Sequence, residues 1–311
     1  MRCVLVSTTI DIRAILAPEI ARLMGQIDFV DHPDTESASD VQLALAWHPP
    51  ADAFERYPNL KAVCSIAAGV DNILFCPSLR DSIDVVRVVE PAQAQMMSGF
   101  VIWHAIWHQR RFATYLAQQR DKIWQRLTQR TAQDVPVGIL GHGAIGARVA
   151  SDLARLGFPV KVWSRSAKPP SPGIAPFHGR DGLRAMLHDT EILANLLPLT
   201  PETRFILNRD VFTAMRRGGY LIQVGRGEHL VEADLLAALD SGQLSGAALD
   251  VFLAEPLPKE HVFWTHPGIV LTPHDACDAS LAAVGGTILA TAEALRAGVR
   301  PANAVDRGMG Y

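Results

Sequence analysis

The run Gly141-His142-Gly143-Ala144-Ile145-Gly146 limits what this chain can fold into more than any other stretch, because of its flanks. The apolar run VGIL precedes it as a buried strand would. After it, ARVASDLARLG repeats apolar positions at helical spacing, and a second strand pattern, PVKVW, follows. Strand, turn, helix and strand thus arrive within about 30 residues, the span of a dinucleotide-binding unit. In such a unit the first glycine permits the tight turn, the second lets backbone approach a pyrophosphate, and the third lets helix pack on strand. The helix N-terminus then favours negative charge. Gly141, Gly143, Ala144, Ile145 and Gly146 are therefore expected at the pyrophosphate of a bound dinucleotide.

NAD-specific sites end the second strand on an acid, about 20 residues past the glycines, to hold the adenosine ribose. Here PVKVW runs instead into Ser164, Arg165, Ser166, Ala167 and Lys168. Hydroxyl and cationic donors there suit a 2′-phosphate, so NADP(H) is expected ahead of NAD(H), which stays possible. Taken alone, Arg165 and Lys168 would read as solvated surface charges.

With 311 residues, at about 150 per domain, the chain has length for two domains. Before the glycine run, short apolar runs (CVLVS, IDFV, VQLALAW, LKAVCS) alternate with helix-length segments, and after it the alternation resumes through TEILANLLPLT, GGYLIQVGRG, GAALDVF and GIVLTPH. That rhythm predicts α/β architecture with parallel sheets in two Rossmann-like domains. A cofactor domain over 102–280 would be inserted into a substrate domain made of 1–101 and 281–311. The Pro- and Gly-rich stretch from Ala167 to Gly182 reads as a long loop, and a helical pattern follows Asp278. From Gln93 to Arg130 the pattern is largely helical. It carries Trp103, Trp107, Phe112, Tyr115 and Trp124, more aromatics than one amphipathic face holds. They are expected either in a homodimer contact through the 100–130 segment or packed on their own domain.

A net charge of −3 gives no electrostatic reason to expect nucleic acid. No apolar run approaches the roughly 20 residues of a membrane span, so no membrane partner is expected. Cys3, Cys64, Cys76 and Cys277 show neither zinc spacing nor a disulfide framework, which fits a reducing cytoplasm and signals no metal.

Three ionisable residues stand at or just past apolar runs: Arg226 in QVGRG, Glu255 in DVFLAEPLP and His274 in LTPH. With the glycine run upstream and DVF leading into Glu-Pro-Leu, their order and spacing resemble the D-isomer-specific 2-hydroxyacid dehydrogenases over nearly the whole chain. Within that family the chain is similar to the glyoxylate/hydroxypyruvate reductase A type. WHPP from Trp47, AAGVD from Ala67, VWSRS, LLPLTPET, VEADLLAALDSG and the terminal VDRGMGY carry that likeness.

The resemblance implies NADPH-dependent reduction of a small 2-oxo acid, glyoxylate or hydroxypyruvate, to glycolate or D-glycerate. Arg226 would fork onto the substrate carboxylate and carbonyl. His274 would donate the proton, and Glu255 would orient its ring. By the same resemblance Asp250 lies near the nicotinamide carboxamide, Leu197, Pro198 and Thr203 near the adenosine side, and Val224 and Gly225 against the cofactor. Gly69 and Val70 would offer backbone N–H groups to the substrate. Trp47 would close over a small substrate or pack as a core tryptophan. The chain departs from the family pattern at Gly99-Phe100 and at Asp275, a carboxylate beside His274 that bears on substrate range. Bulkier 2-oxo acids, or a nucleotide-sensing module without turnover, are the alternative readings.

Overall fold

The computed structural model describes residues 1–32 and 38–308, so the last three residues of VDRGMGY lie outside it. The chain forms two compact units, one of residues 1–91 and 278–311, the other of residues 92–277.

In the first unit the strands are β1 (Arg2–Ser7), β2 (Asp28–Asp31), β3 (Val41–Trp47), β4 (Ala62–Ser65) and β5 (Asp84–Val86), joined in part by helices α1 (Ile12–Ile15), α2 (Ala17–Leu23) and α3 (Asp71–Leu74). Every pairing is parallel and the order is β2-β1-β3-β4-β5, a doubly wound sheet. Successive side chains of a strand point to opposite faces. Accordingly Val4 and Val6 join one core with Ala44, Ala46 and Val63, while Cys3 and Leu5 join another with Leu43, Leu45 and Cys64. Burial on both faces is why these strands read as unbroken apolar runs. The C-terminal helix, Leu281–Arg296, starts where the Ser280 hydroxyl accepts from Ala283 N at 3.1 Å, and buries Val284, Ile288 and Ala292 in the second of these cores.

The second unit opens with α4 (Pro91–Gln109) and α5 (Phe112–Arg120). It continues β6 (Val137–Leu140), α6 (Ala144–Arg155), β7 (Val160–Ser164), β8 (Ile174–His178), α7 (Gly179–Leu187), β9 (Ile192–Asn195), α8 (Arg209–Ala214), β10 (Gly219–Gln223), α9 (Glu232–Asp240), β11 (Leu244–Leu249) and β12 (Ile269–Leu271). The order β12-β11-β10-β9-β6-β7-β8 is again all parallel and reverses direction between β6 and β9, the Rossmann arrangement. Alternation again sorts the strands. Ile139, Val162, Ala194 and Ile222 face α4 and α6, whereas Leu140, Leu193, Leu221 and Leu249 face α8 and α9. The change of unit falls at Pro91 and not at 101, because Met97, Val101 and Ala105 of α4 are buried in this second unit's core.

Two expectations from the sequence need correction. The stretch from Ala167 to Gly182 is not one loop: IAPFH forms β8, paired with β7, and α7 begins at Gly179. Pro176 is tolerated because β8 is an edge strand, where a missing N–H breaks no inner ladder. The long helical segment also stops early. Arg111 turns left-handed (φ 57°) between α4 and α5, and no residue of α5 is buried. Beyond Arg120 the chain folds back without regular structure. The Tyr115 hydroxyl accepts from Leu127 N at 3.3 Å, and Gln109 Nε2 donates to the Arg130 carbonyl at 2.9 Å.

Candidate active site

At the carboxyl end of β6 the glycine run forms a turn into α6. Gly141 sits at φ +107°, and a Cβ on Gly146 would collide with the Gly141 carbonyl, so two of the three glycines are required sterically. Gly143 is the N-cap of α6, no side chain caps the helix there, and nothing lies within 4 Å of where its Cβ would be. Uncapped N–H groups at the start of a 12-residue helix are what a pyrophosphate uses. Ala144 and Ile145 form its first turn. These residues fit a dinucleotide.

Past β7, Arg165, Ser166 and Lys168 are exposed, and the Ser164 hydroxyl donates to the Ser166 carbonyl at 2.9 Å, closing the turn. Two of its charges act on neighbouring segments. Partial burial, helped by the charge of Lys168, pushes the His142 imidazole down from its ordinary range. Arg165 is among the groups that hold Glu202 low, after its own backbone N–H and Thr200. The charge of one cation is thus felt at the glycine turn and that of the other at the loop after β9. That loop is pre-shaped: the Thr203 hydroxyl donates to the Pro198 carbonyl at 2.8 Å and accepts from Thr200 N at 2.8 Å, with Leu197 buried beside it.

Arg226 ends the turn after β10, behind the buried Val224 and Gly225. Its Nη1 donates to the Gly225 carbonyl at 2.8 Å. The Arg-Gly pair has a steric reason, since a Cβ on Gly227 would run into the backbone of Phe252 and Leu253. The turn thereby lies against the segment that carries Glu255. Glu255 Oε1 accepts from Phe252 N at 2.9 Å and Oε2 accepts from His274 Nδ1 at 2.8 Å. Burial works to raise the Glu255 pKa. It is outweighed by hydrogen bonds from His274 and Phe252 N and by the charges of His274 and Arg226, so the carboxyl stays below its usual range. The second unit thus brings Arg226, Glu255 and His274 together.

His274 itself is held in the left-handed region at φ 58°. Asp250, 2 % exposed, maintains this: Oδ1 accepts from Thr272 Oγ1 at 2.6 Å and Asp275 N at 2.8 Å, and Oδ2 from Ala276 N at 3.1 Å. Asp250, expected at a carboxamide, is first of all a clamp on the loop bearing His274. Asp275 is exposed, and Cys277 is partly exposed against the adjoining core.

In the first unit, Gly69 and Val70 lie in the loop after β4. The Ser65 hydroxyl donates to the Gly69 carbonyl at 2.8 Å and accepts from Ala67 N at 3.1 Å. Val70 is the N-cap of α3. Trp47 ends β3 half-buried, its ring edge-on to His48 at 5.1 Å. Sequence reasoning missed Ser65, Thr272 and the buried Asn195, Gln223 and His229 beside Arg226. The one available signal was a polar residue closing each of the apolar strands β9 and β10. Among the described residues no group of three metal-ligating side chains occurs, and no helix is long and apolar enough to cross a membrane.

Residues 102–276 match the family model described as D-isomer specific 2-hydroxyacid dehydrogenase, NAD binding domain. A glyoxylate/hydroxypyruvate reductase A of Serratia proteamaculans is 40% identical over 273 residues, 86% of this chain and 87% of that protein. Among solved structures, a D-isomer specific 2-hydroxyacid dehydrogenase from Xanthobacter autotrophicus, in complex with NADPH and MES, superposes with a TM-score of 0.91. It is 36% identical and the match covers 100% of this chain and 99% of that one. An NADPH-dependent glyoxylate/hydroxypyruvate reductase from Sinorhizobium meliloti, in complex with NADP and sulfate, gives a TM-score of 0.90 at 35% identity, covering 100% and 99%.

Proposed function

The chain belongs to the D-isomer-specific 2-hydroxyacid dehydrogenase family, and within it we propose an NADPH-dependent reductase of small 2-oxo acids, glyoxylate and hydroxypyruvate, yielding glycolate and D-glycerate. The observation that carries this reading is the 2.8 Å bond between Glu255 and His274 Nδ1, with Arg226 close enough for its charge to act on the same carboxyl. When bound, the reduced nicotinamide supplies the hydride that the carbonyl carbon accepts. Arg226 holds the substrate carboxylate and polarises the carbonyl with a charge it never loses. His274, with Nδ1 committed to Glu255, keeps Nε2 for the proton that the carbonyl oxygen takes up, and is left neutral. Glu255 orients the ring and balances the imidazolium charge.

Gly141 to Gly146 bind the pyrophosphate, and Ser164, Arg165, Ser166 and Lys168 the 2′-phosphate. Leu197, Pro198, Thr203, Val224 and Gly225 line the cofactor, and Asp250 stands by the nicotinamide while clamping the His274 loop. Gly69 and Val70 N–H groups, ordered by Ser65, serve the carboxylate, and Trp47 limits substrate size. The NADPH assignment is supported by the exposed Arg165, Ser166 and Lys168 in the turn past β7, and by relatives bound to NADPH or NADP. A homodimer through the 100–130 segment and a reducing cytoplasmic setting complete the reading. The deciding assay follows NADPH and NADH oxidation with glyoxylate, hydroxypyruvate and branched or aromatic 2-oxo acids. The expected result is highest kcat/KM for the short acids with NADPH. Tight NADPH binding without turnover on any of them would replace the enzyme with a nucleotide-sensing module.

A further inference from the structure

Asn195 and Gln223 are register partners at the carboxyl ends of β9 and β10, and with His229 they form a polar trio fully buried in the second unit. Asn195 Nδ2 donates to Gln223 Oε1 at 2.7 Å and to His229 Nδ1 at 2.9 Å. What the trio grips is the backbone on both sides of the Arg226 side chain. Arg226 N donates to His229 Nδ1 at 3.0 Å, and the Arg226 carbonyl accepts from Gln223 Nε2 at 2.8 Å. Gly225 N reaches Gln223 Oε1 at 3.3 Å, and a Cβ at Gly225 would lie only 2.7 Å from both Asn195 Nδ2 and His229 Nδ1. On its far side the imidazole meets the cofactor-side loop, Nε2 lying 3.2 Å from the Pro198 carbonyl.

The geometry settles the His229 tautomer. An amide N–H points at Nδ1, so Nδ1 carries no proton, and a carbonyl faces Nε2, so Nε2 does. Burying three polar side chains costs stability that an apolar trio of the same volume would not, unless their bonds do something packing cannot. We infer that His229, braced by Asn195 and Gln223, is a positioning residue that fixes the backbone of Arg226 and ties it to the loop at Pro198. Arg226 thus stands ready for the substrate carboxylate once the cofactor is in place. This rests on Arg226 being the carboxylate anchor.

The test compares His229→Leu, His229→Asn, Gln223→Met and Arg226→Lys in the full chain, measuring KM and kcat for glyoxylate at saturating NADPH, the Kd of NADPH, and thermal unfolding. A misplacement near 1 Å at a reacting group costs on the order of 100-fold, so His229→Leu is expected to raise KM and lower kcat by about 10- to 100-fold in kcat/KM. NADPH affinity should change far less. His229→Asn, whose side-chain oxygen can take the place of Nδ1, should recover most of that loss. Gln223→Met, which removes the donor to the Arg226 carbonyl together with the acceptor for Asn195 Nδ2 and Gly225 N but leaves the His229 ring in place, should raise KM in the same direction, and it carries the test if His229→Leu does not fold. Positioning is overturned if Gln223→Met leaves KM unchanged, if His229→Asn is no better than His229→Leu, or if NADPH binding falls as far as kcat/KM. If Arg226→Lys itself leaves kinetics intact, the anchor assignment fails instead; a damaged Arg226→Lys beside an unaffected His229→Leu rejects positioning alone.

Discussion

Glu255 has both oxygens engaged, one by the backbone N–H of Phe252 and one by His274, so replacing it separates geometry from charge. In Glu255→Gln the amide oxygen can still accept from one donor, but the negative charge that faces the imidazolium is gone. Its kcat for glyoxylate reduction should fall, and by less than in His274→Ala, where loss of the general acid removes about 10²- to 10⁴-fold. Near-normal turnover in His274→Ala would assign the proton to another group. Arg165 offers an independent check on the cofactor. Arg165→Ala should raise KM for NADPH about 10- to 100-fold, the worth of one charge-assisted bond, and leave KM for NADH nearly unchanged. Equal losses with both cofactors would remove the 2′-phosphate from its partners. Arg226, Glu255 and His274 were legible in the sequence because each sits in a local motif with a fixed place behind an apolar run. Asn195, Gln223 and His229 were not, since their contact depends on the pairing of β9 with β10 and on a turn 34 residues from Asn195, which no local spacing encodes.

At the scale of elements, a strand was legible where it forms a continuous apolar run, the edge strands β2 and β12 included, and hidden where proline and polar residues interrupt it. VGIL and LIQ announce themselves by continuous apolar content, but β8 carries Pro176 and lies at the sheet edge, so its composition resembles a loop. The same contrast explains α4, whose buried face is not purely apolar. His104 on that helix is 1 % exposed, packs against Tyr220 of β10 with ring centroids 6.5 Å apart, and has no partner for Nδ1 among the described residues. Burial pulls its pKa from 6.5 to about 4. Between those values the unfolded chain binds the extra proton and the folded one does not, so this group's contribution is complete above pH 6.5 and lost as pH falls through 4. The gap corresponds to about 3 kcal/mol. His104→Phe, which removes an unsatisfied nitrogen, should unfold at neutral pH no more easily than the parent, and should lose about that much less stability from pH 7 to pH 4. Parallel denaturant titrations at both pH values measure it. Identical pH dependence in parent and variant would mean that His104 is protonated without cost in the fold.

For the whole molecule, what the isolated chain leaves uncovered bears on its assembly. Trp124 is fully exposed, and Trp103, Leu116 and Ile123 are each about half exposed, all within the two helices and the returning strand of chain after them. Trp103 packs at a tilt on Trp107 and Phe112 stacks on Trp107, with centroids 5.1 and 5.7 Å apart, so the rings support one another. Large apolar side chains gathered in one segment are uncommon on a monomer, and self-association across a two-fold axis is the commonest way to cover them. Of these side chains Trp107 packs against the core of its own unit while Trp103, Leu116, Ile123 and Trp124 do not, which is why composition alone left two readings of this segment. Sedimentation at micromolar concentration should therefore give close to twice the chain mass of 33.8 kDa. Trp124→Asp combined with Leu116→Asp should shift the protein to monomer while leaving its secondary structure intact, because neither residue is buried in the chain. A parent protein that sediments as a monomer at every concentration would return these aromatics to the surface of a single subunit.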